Sequence, residues 1–294
     1  MQILVDMGTD LLNLYAAPTV GPPDEPPPAY EGLTPRLDCK DPDDYQRTAS
    51  PVEWSSHAGP TPSVGPSMAS LRGTADDPYD FLGIFDTILL IDDSGSMKGP
   101  LWDEARDALK AITPFCTRYD ADGVDIHFLN HTTIYPNITS ASAVDEIFSN
   151  VMPRGGTRTG QKLCNILKRY LTLYEAKAEA TKPINIICIT DGAPSDDVES
   201  LLIACAKKLD RLDAPAWQVG VRFFQIGNDV QAQKHLKQLD DDLMEISGNT
   251  EMRDMIDTVP FQSDGRQLTG DGIMKVVLGA VMRRWDRKSD DLHR

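Results

Sequence analysis

The chain has 294 residues, of which 40% are hydrophobic and 21 are prolines, and its formal net charge is −16. This length accommodates one large α/β domain or two small ones. Because a negative field of this size repels phosphate groups, the charge argues against nucleic acid and anionic membrane surfaces as partners.

The first 80 residues differ in composition from the rest of the chain. They contain 13 of the 21 prolines, and 13 acidic side chains against 4 basic ones. A segment of this kind buries too little apolar surface to offset its conformational entropy. We therefore predict a disordered, proline-rich acidic tail over 1–80, a folded domain over 81–288 and a C-terminal tail over 289–294.

Beyond residue 80, strand and helix patterns alternate. Short apolar runs predict strands over 85–92, 124–130, 184–190 and 217–226. Apolar residues spaced by three and four positions predict helices over 101–116, 142–150, 159–178, 198–212, 230–240 and 273–281. Pro114 should kink the first helix or shorten its end. The alternation predicts an α/β fold with a doubly wound, Rossmann-like, mostly parallel sheet and helices on both faces.

The sequence carries no pattern typical of secretion or membrane insertion. The apolar N-terminus lacks a basic region, Asp6 and Asp10 interrupt it, and no apolar run approaches the length of a membrane span. The cysteines are odd in number and form no CxxC pair, which favours buried, reduced thiols in a reducing compartment. These are Cys39, Cys116, Cys164, Cys188 and Cys205. We expect a cytoplasmic protein.

Three polar clusters lie where the ends of parallel strands should meet. The stretch ILLIDDSGSMKG (88–99) passes from a buried strand into carboxylates and hydroxyls. A glycine-rich loop, PRGGTRTGQ (153–161), carries two threonines, and ITDGAPSDD (189–197) follows a second apolar run. In open α/β sheets, ligands collect outside the carboxyl ends of the strands, near the point where the strand order reverses.

The oxygens of these clusters suit a hard divalent cation. Hydroxyl and carboxylate oxygens are the ligands that Mg²⁺ prefers, with Mn²⁺ or Ca²⁺ as alternatives. Because few of these ligands are charged, a bound ion would keep most of its positive charge and attract an anionic oxygen from outside. The candidate metal ligands are Asp92, Ser94, Ser96, Thr157 and Asp191.

At these five positions the sequence resembles the von Willebrand factor A (vWA) domain and its metal-ion-dependent adhesion site (MIDAS). The family pattern is DxSxS on one loop, a threonine on a second and an aspartate on a third, and the resemblance covers roughly residues 84–285. It implies that hydroxyls bind the ion directly, that aspartates often act through water, and that a partner's Asp or Glu completes the site. By family position, Thr157 is favoured over Thr159.

Simpler interpretations of these residues stay open. Ser94 or Ser96 could only cap a turn or helix by bonding to free amides. Asp93 and Lys98 need no role beyond solvation. Arg154 and Arg158 could form either a basic rim that attracts an acidic partner or a solvated face.

Catalysis is the main alternative to binding. The chain lacks the GxxxxGK[ST] phosphate loop and the GxSxG serine motif, and Ser94 stands where a dehalogenase-type phosphatase would carry a second aspartate. We therefore expect a binding protein or adaptor and no enzyme, with a Mg²⁺-dependent hydrolase of unrecognised type as the alternative. A third class is an extracellular adhesion module glycosylated at Asn130 or Asn137.

The N-terminal segment adds a short motif. PPPAY contains Pro27, Pro28 and Tyr30 in the pattern PPxY, which resembles ligands of WW domains. WW domains are common in HECT-type ubiquitin ligases, so an adaptor role for the tail is a hypothesis. A proline-rich linker with a chance tyrosine is the simpler interpretation.

Overall fold

The computed structural model describes residues 80–241, 243–248 and 252–260. Six strands of this part form one sheet: β1 (Asp86–Ile91), β2 (Val124–Phe128), β3 (Tyr135–Ile138), β4 (Ile184–Thr190), β5 (Val219–Gln225) and β6 (Ile256–Pro260). Their spatial order is β3-β2-β1-β4-β5-β6, and only the β2–β3 pair is antiparallel. The predicted α/β fold with a doubly wound, mostly parallel sheet is confirmed.

Helices lie between the strands in the described residues: α1 (Pro100–Tyr119), α2 (Ala141–Asn150), α3 (Thr159–Ala176), α4 (Glu199–Arg211), α5 (Val230–Asp241) and α6 (Leu243–Ser247). Short 3-10 helices occupy Asp80–Ile84, Gly95–Met97 and Ala178–Ala180. Side chains of α3, α4 and α5 pack on one face of the sheet, and those of α1 and α2 pack on the other. The helix bounds agree with the periodicity to within three residues at each end.

Both faces of the central strands are buried, which explains their unbroken apolar sequences. In β1, Ile88 and Leu90 face the α3 and α4 side, whereas Leu89 and Ile91 face the α1 and α2 side. Each of these four side chains is at most 1% exposed. A strand covered on both sides has no polar face, so its sequence shows a continuous apolar run instead of an alternation.

Three features depart from the predictions. Helix α1 continues through Pro114 to Tyr119, because Pro114 lies on its exposed side, where water can bind the carbonyl that the proline leaves without a donor. Strand β3 was not predicted, since Pro136 and Asn137 are typical of turns, although proline is tolerated in an edge strand. Strand β6 was missed because Asp257 interrupts its apolar pattern.

Several predictions fall outside the described residues. They are the 1–80 tail with its PPxY motif, the helix over 273–281 and the domain end at 288. Among the described cysteines, Cys116, Cys188 and Cys205 are free and buried, as expected, but Cys164 is disulfide-bonded, so the prediction of reduced thiols is wrong for that residue.

Candidate functional site

The candidate site lies where the order of the sheet reverses. Strands β1 and β4 are neighbours, and the chain passes from β1 toward β2 on one side and from β4 toward β5 on the other. Three loops meet at the carboxyl ends of these strands: loop 1 (92–99), loop 2 (151–158) and loop 3 (191–198). In doubly wound sheets this position is the usual ligand-binding crevice.

Asp92 is the first residue of loop 1 and is buried. Its side chain is fully buried, its Oδ1 accepts a hydrogen bond of 2.8 Å from the Ser94 amide, and its Oδ2 accepts one of 2.7 Å from the Thr190 hydroxyl. Burial raises the pKa of this carboxyl, while the hydrogen bonds from Ser94 and Thr190 oppose that shift and nearby Asp191 adds to it. The carboxylate is therefore held in one orientation by loop 1 itself and by the last residue of β4.

Loops 1 and 3 bring three of the predicted ligands together. The Oγ atoms of Ser94 and Ser96 are 3.0 Å apart, and the Ser96 hydroxyl donates a hydrogen bond of 3.1 Å to Oδ1 of Asp191. Ser94 is 2% exposed, whereas Ser96 is exposed and Asp191 is half-buried. The three side chains therefore form a continuous row of oxygens that runs from the protein interior to its surface.

The interpretation of Ser94 and Ser96 as helix caps receives no support from these contacts. Ser94 precedes the 3-10 helix Gly95–Met97 but makes no side-chain capping bond, and Gly99 precedes α1. The hydroxyls of both serines instead point to each other and to Asp191. The two serine hydroxyls thus contact each other within loop 1, and Ser96 connects loop 1 to loop 3.

Thr157 lies on loop 2, half-exposed, and contacts loop 3 through its backbone. Its carbonyl accepts hydrogen bonds of 2.8 and 2.9 Å from the amide and hydroxyl of Ser195. Among the described residues, no hydrogen bond joins its hydroxyl to Ser94, Ser96 or Asp191. Thr159, the alternative threonine, is buried, and its hydroxyl has no hydrogen-bond partner in the described part of the chain.

The expectation that Asp93 is a solvated side chain is wrong. It is 1% exposed, and its carboxylate accepts hydrogen bonds from the amide of Asn130 (2.7 Å), the side chain of Asn130 (3.1 Å) and the amide of His131 (2.8 Å). The Asn130 side chain also donates to the carbonyl of Gly156 at 3.0 Å. Asp93 and Asn130 therefore connect loop 1, the end of β2 and loop 2.

Two backbone bonds strengthen the contact between loops 1 and 2. The Arg154 amide donates to the Asp93 carbonyl at 2.6 Å, and the Gly95 amide donates to the Gly155 carbonyl at 3.1 Å. Gly155 has φ +86°, and a Cβ there would lie 2.4 Å from Oδ1 of Asn130. A side chain at Gly155 would be strained by the positive φ and would displace the Asn130 amide, so glycine is favoured here. The sequence shows the glycines, but it does not show that Asn130 is the residue they approach.

Loop 3 also organises the start of α3. The two carboxylate oxygens of Asp196 accept hydrogen bonds from the amides of Gly160 (2.9 Å) and Gln161 (2.7 Å). Free amides at a helix N-terminus are satisfied by such an acceptor, and the negative charge is favourable there. Loop 2, which leads into α3, is therefore held against loop 3 from its far end as well.

The donor set of the site consists largely of hydroxyls. Within the described ranges, no three His, Cys, Asp or Glu side chains are grouped so as to hold a metal ion. The predicted ligands instead combine the hydroxyls of Ser94 and Ser96 with the carboxylate of Asp191. Asp92 lies on loop 1 with the two serines, and Thr157 lies on loop 2. Such oxygens suit Mg²⁺ more than a soft transition metal.

Comparisons with known proteins relate the chain only to solved structures. No protein-family model and no curated protein matches it. Human COPII-coat protein Sec24c is similar in structure, with a TM-score of 0.31 and 13% sequence identity over 65% of this chain and 32% of that chain. The matched region is thus about a third of the length of Sec24c. Among the helices described here, none has the length and apolar character needed to cross a membrane.

Proposed function

We propose that the domain is a metal-dependent protein-binding module of the vWA kind, which holds one Mg²⁺ ion at the reversal point of the sheet. The observation that carries the proposal is the row of oxygens formed by Ser94, Ser96 and Asp191. It lies at the carboxyl ends of β1 and β4, the position that the motif resemblance implies for a MIDAS.

The spacing of these oxygens is compatible with Mg²⁺. Two oxygens bound about 2.1 Å from one ion in adjacent octahedral positions lie about 3 Å apart. The Ser94–Ser96 and Ser96–Asp191 separations are 3.0 and 3.1 Å. Ser94, Ser96 and Asp191 would hold the ion, and Asp92 and Thr157 would complete the set directly or through water.

The chemistry that the ion supplies is attraction for an anionic oxygen. Its candidate ligands include only two carboxylates, Asp92 and Asp191, and Asp92 is directed toward Thr190 and the Ser94 amide. A carboxylate of a partner protein is therefore the expected external ligand. Ser96 is exposed, so the oxygen row is open to a partner at that end.

Calorimetric titration of the full chain with Mg²⁺ and Mn²⁺ tests the proposal. We expect about one ion per chain in the wild type, and no binding by Asp191→Asn or by the Ser94→Ala/Ser96→Ala double variant. Ser149→Ala is the matched control, since that exposed hydroxyl bonds only within α2. Thermal unfolding of each variant separates loss of the site from loss of the fold.

An absence of metal binding by the folded wild-type chain would contradict the proposal. Turnover of generic phosphate or ester substrates in the presence of Mg²⁺ would favour the alternative, a hydrolase, over a binding module. Identical binding by wild type and both site variants would place the ion elsewhere on the chain.

The N-terminal motif adds a second contact to the proposal. Pro27, Pro28 and Tyr30 lie outside the described residues, so its support is the PPxY pattern itself. Recruitment of a WW-domain ubiquitin ligase would make the chain an adaptor between that ligase and the partner at the metal site. Tyr30→Ala should abolish binding to an isolated WW domain and leave Mg²⁺ binding unchanged.

A further inference from the structure

Three exposed cations lie on the loops at the edge of the sheet where the oxygen row is found. Lys98 follows Ser96 on loop 1, and Arg154 and Arg158 lie on loop 2. Among the described residues, none of these three side chains has an ion pair or hydrogen bond. We call Lys98, Arg154 and Arg158 the basic rim.

The backbone contacts of the loops hold the basic rim beside the site. The Arg154 amide donates a hydrogen bond of 2.6 Å to the carbonyl of Asp93, next to the predicted ligands of loop 1. Arg158 follows Thr157, whose carbonyl is bonded to Ser195 on loop 3. Each arginine is thus attached to backbone that the neighbouring loops keep in place.

Some cations elsewhere on the surface of the domain are neutralised by its own carboxylates. Lys110 binds Asp145 at 2.8 Å, and Lys182 lies within 4 Å of three aspartates. In a chain of formal charge −16, Lys98, Arg154 and Arg158 place three positive side chains on two neighbouring loops at this edge of the sheet. Charge of this sign would attract an acidic ligand and repel a basic one.

The carboxylates of loop 3 do not neutralise the basic rim by direct contact. Both oxygens of Asp196 accept amide hydrogen bonds at the start of α3, and Asp197 accepts one of 2.9 Å from the Ser200 amide at the start of α4. These charges are satisfied by helix N-termini, where a carboxylate is favourable.

Met152 adds an apolar contact to the same surface. It is 79% exposed, which makes it the most exposed large hydrophobic side chain in the described part of the chain, and it stands two residues before Arg154. Its neighbours Val151 and Pro153 are buried, so the backbone that presents Met152 is packed on both sides. A single exposed apolar side chain is common on protein surfaces, and Met152 bears on this site because it lies on the same loop as Arg154 and Arg158.

From these features we propose that the basic rim and Met152 form a docking surface for an acidic segment of a partner protein, with several carboxylates beside an apolar side chain. One carboxylate would meet the ion, others would pair with the rim, and the apolar residue would cover Met152. This inference rests on the proposed function, but it specifies the partner: a cluster of acidic residues, in place of a single Asp or Glu.

Selection from a random dodecapeptide display library tests the proposal, with the full chain as bait in Mg²⁺. The wild type should recover peptides enriched in Asp and Glu next to Leu, Ile, Met or Phe. Arg154→Glu/Arg158→Glu should lose the acidic enrichment, and Met152→Ser should lose the apolar one. Lys168→Glu/Lys177→Glu, which reverses two exposed charges on α3 and after it, is the matched control and should behave as wild type.

A recovered peptide provides the quantitative measurement. Each single rim substitution to alanine should weaken its binding by roughly two- to five-fold, and added salt should weaken binding to the wild type more than to the charge-reversed variant. Mg²⁺ calorimetry on the same variants should still show one ion per chain, bound as tightly as in the wild type or more tightly, because the rim residues are not candidate ligands and their positive charge opposes a cation.

The outcomes separate this inference from the proposed function. Metal binding without acidic enrichment, or acidic enrichment that survives the charge reversal, would overturn the docking surface alone. Acidic enrichment that depends on the rim but not on Mg²⁺ would support the surface and contradict the metal-bridged mechanism. If peptides bind only when Asp38, Asp41, Asp43 and Asp44 are changed to Asn, the rim binds the chain's own acidic segment, and the partner proposal is wrong.

Discussion

The hydroxyl of Thr190, the last residue of β4, donates a hydrogen bond of 2.7 Å to Oδ2 of Asp92, the first residue after β1. Both side chains are at most 1% exposed. The bond joins the two central strands at their carboxyl ends, where the strand order reverses. The Thr190 hydroxyl also accepts a hydrogen bond of 3.2 Å from the Gly192 amide, so it links the start of loop 3 to the base of loop 1.

Removing this hydroxyl should destabilise the domain. Thr190→Val keeps the shape of the side chain but leaves a buried carboxylate with one donor fewer, and we expect the free energy of unfolding to fall by about 1 to 3 kcal/mol at neutral pH. Urea denaturation measures the change. Thr190→Ser, which retains the donor, should lose clearly less stability, and equal losses in the two variants would show that packing of the methyl group matters more than the bond.

Asn130 should determine how firmly loop 2 is held on loop 1. Asn130→Ala removes the side-chain bonds to Asp93 and to the Gly156 carbonyl, so the stability should fall by about 1 to 3 kcal/mol. Amide hydrogen exchange followed by NMR should show faster exchange at Arg154 and Gly95, whose amides bridge the two loops.

The matched control for that experiment is Asn150→Ala. Asn150 is exposed, and its side chain bonds only to the carbonyl of Glu146 in the same helix. Unchanged exchange at Arg154 in the Asn130 variant would mean that the backbone bonds alone hold loop 2.

A cluster of one lysine and three aspartates at the opposite end of the sheet should make the free energy of unfolding depend on pH. Lys182 lies 3.2 Å from Asp86, 3.3 Å from Asp122 and 3.8 Å from Asp120. Burial raises the pKa of Asp120 to about 6; the repulsion of Asp86 and Asp122 adds to the shift, and Lys182 opposes it. The folded chain thus binds a proton at Asp120 more tightly than the unfolded chain, so the stability that this group contributes is lost as pH rises from about 4 to about 6.

Asp120→Asn removes that dependence. The stability of the wild type relative to Asp120→Asn should fall between pH 4 and pH 6.5, by about 1 kcal/mol once screening around the half-exposed Lys182 is included. Urea denaturation at a series of pH values gives the curve. Asp107→Asn, with a side chain 66% exposed, is the control and should follow the wild type. If the stability of the wild type relative to Asp120→Asn rose with pH, the raised pKa of Asp120 would be contradicted.

The buried ion pair between β5 and β6 should show a strong difference between single and double substitutions. Arg222 and Asp257 are paired in register, and their side chains are 0% and 2% exposed. Asp257→Ala leaves a buried guanidinium without its carboxylate and should cost about 3 to 5 kcal/mol. Arg222→Met/Asp257→Val, which removes both charges, should recover much of that loss in urea denaturation.

An exposed pair provides the comparison for that experiment. Arg253 and Asp210 lie 2.6 Å apart, but the Asp210 side chain is 40% exposed. Asp210→Ala should cost less than about 1 kcal/mol because water replaces much of the lost interaction. If Asp257→Ala were no more costly than Asp210→Ala, burial of the Arg222 charge would not be the source of the effect.

The sequence was sufficient to predict features that depend on local pattern. Apolar runs such as 184–190 identify strands buried on both faces, because such strands have no solvent-facing side to carry polar residues. Periodic apolar positions located the helices from α1 to α5, since each buries one stripe against the sheet. The same reasoning placed Asp92, Ser94, Ser96 and Asp191 at strand ends, although whether they bind a metal stays a prediction.

Only the tertiary structure decided the relationships between segments distant in the chain. The sequence alone indicates a solvated Asp93, but in the fold Asn130, 37 positions later, donates two hydrogen bonds to its carboxylate. Strand β6 carries a buried aspartate, Asp257, which lies beside Arg222 on β5 and forms an ion pair with it. Local pattern reflects whether a residue faces water or the core, whereas the partner of a buried polar group depends on which strands become neighbours, and that is a property of the whole fold.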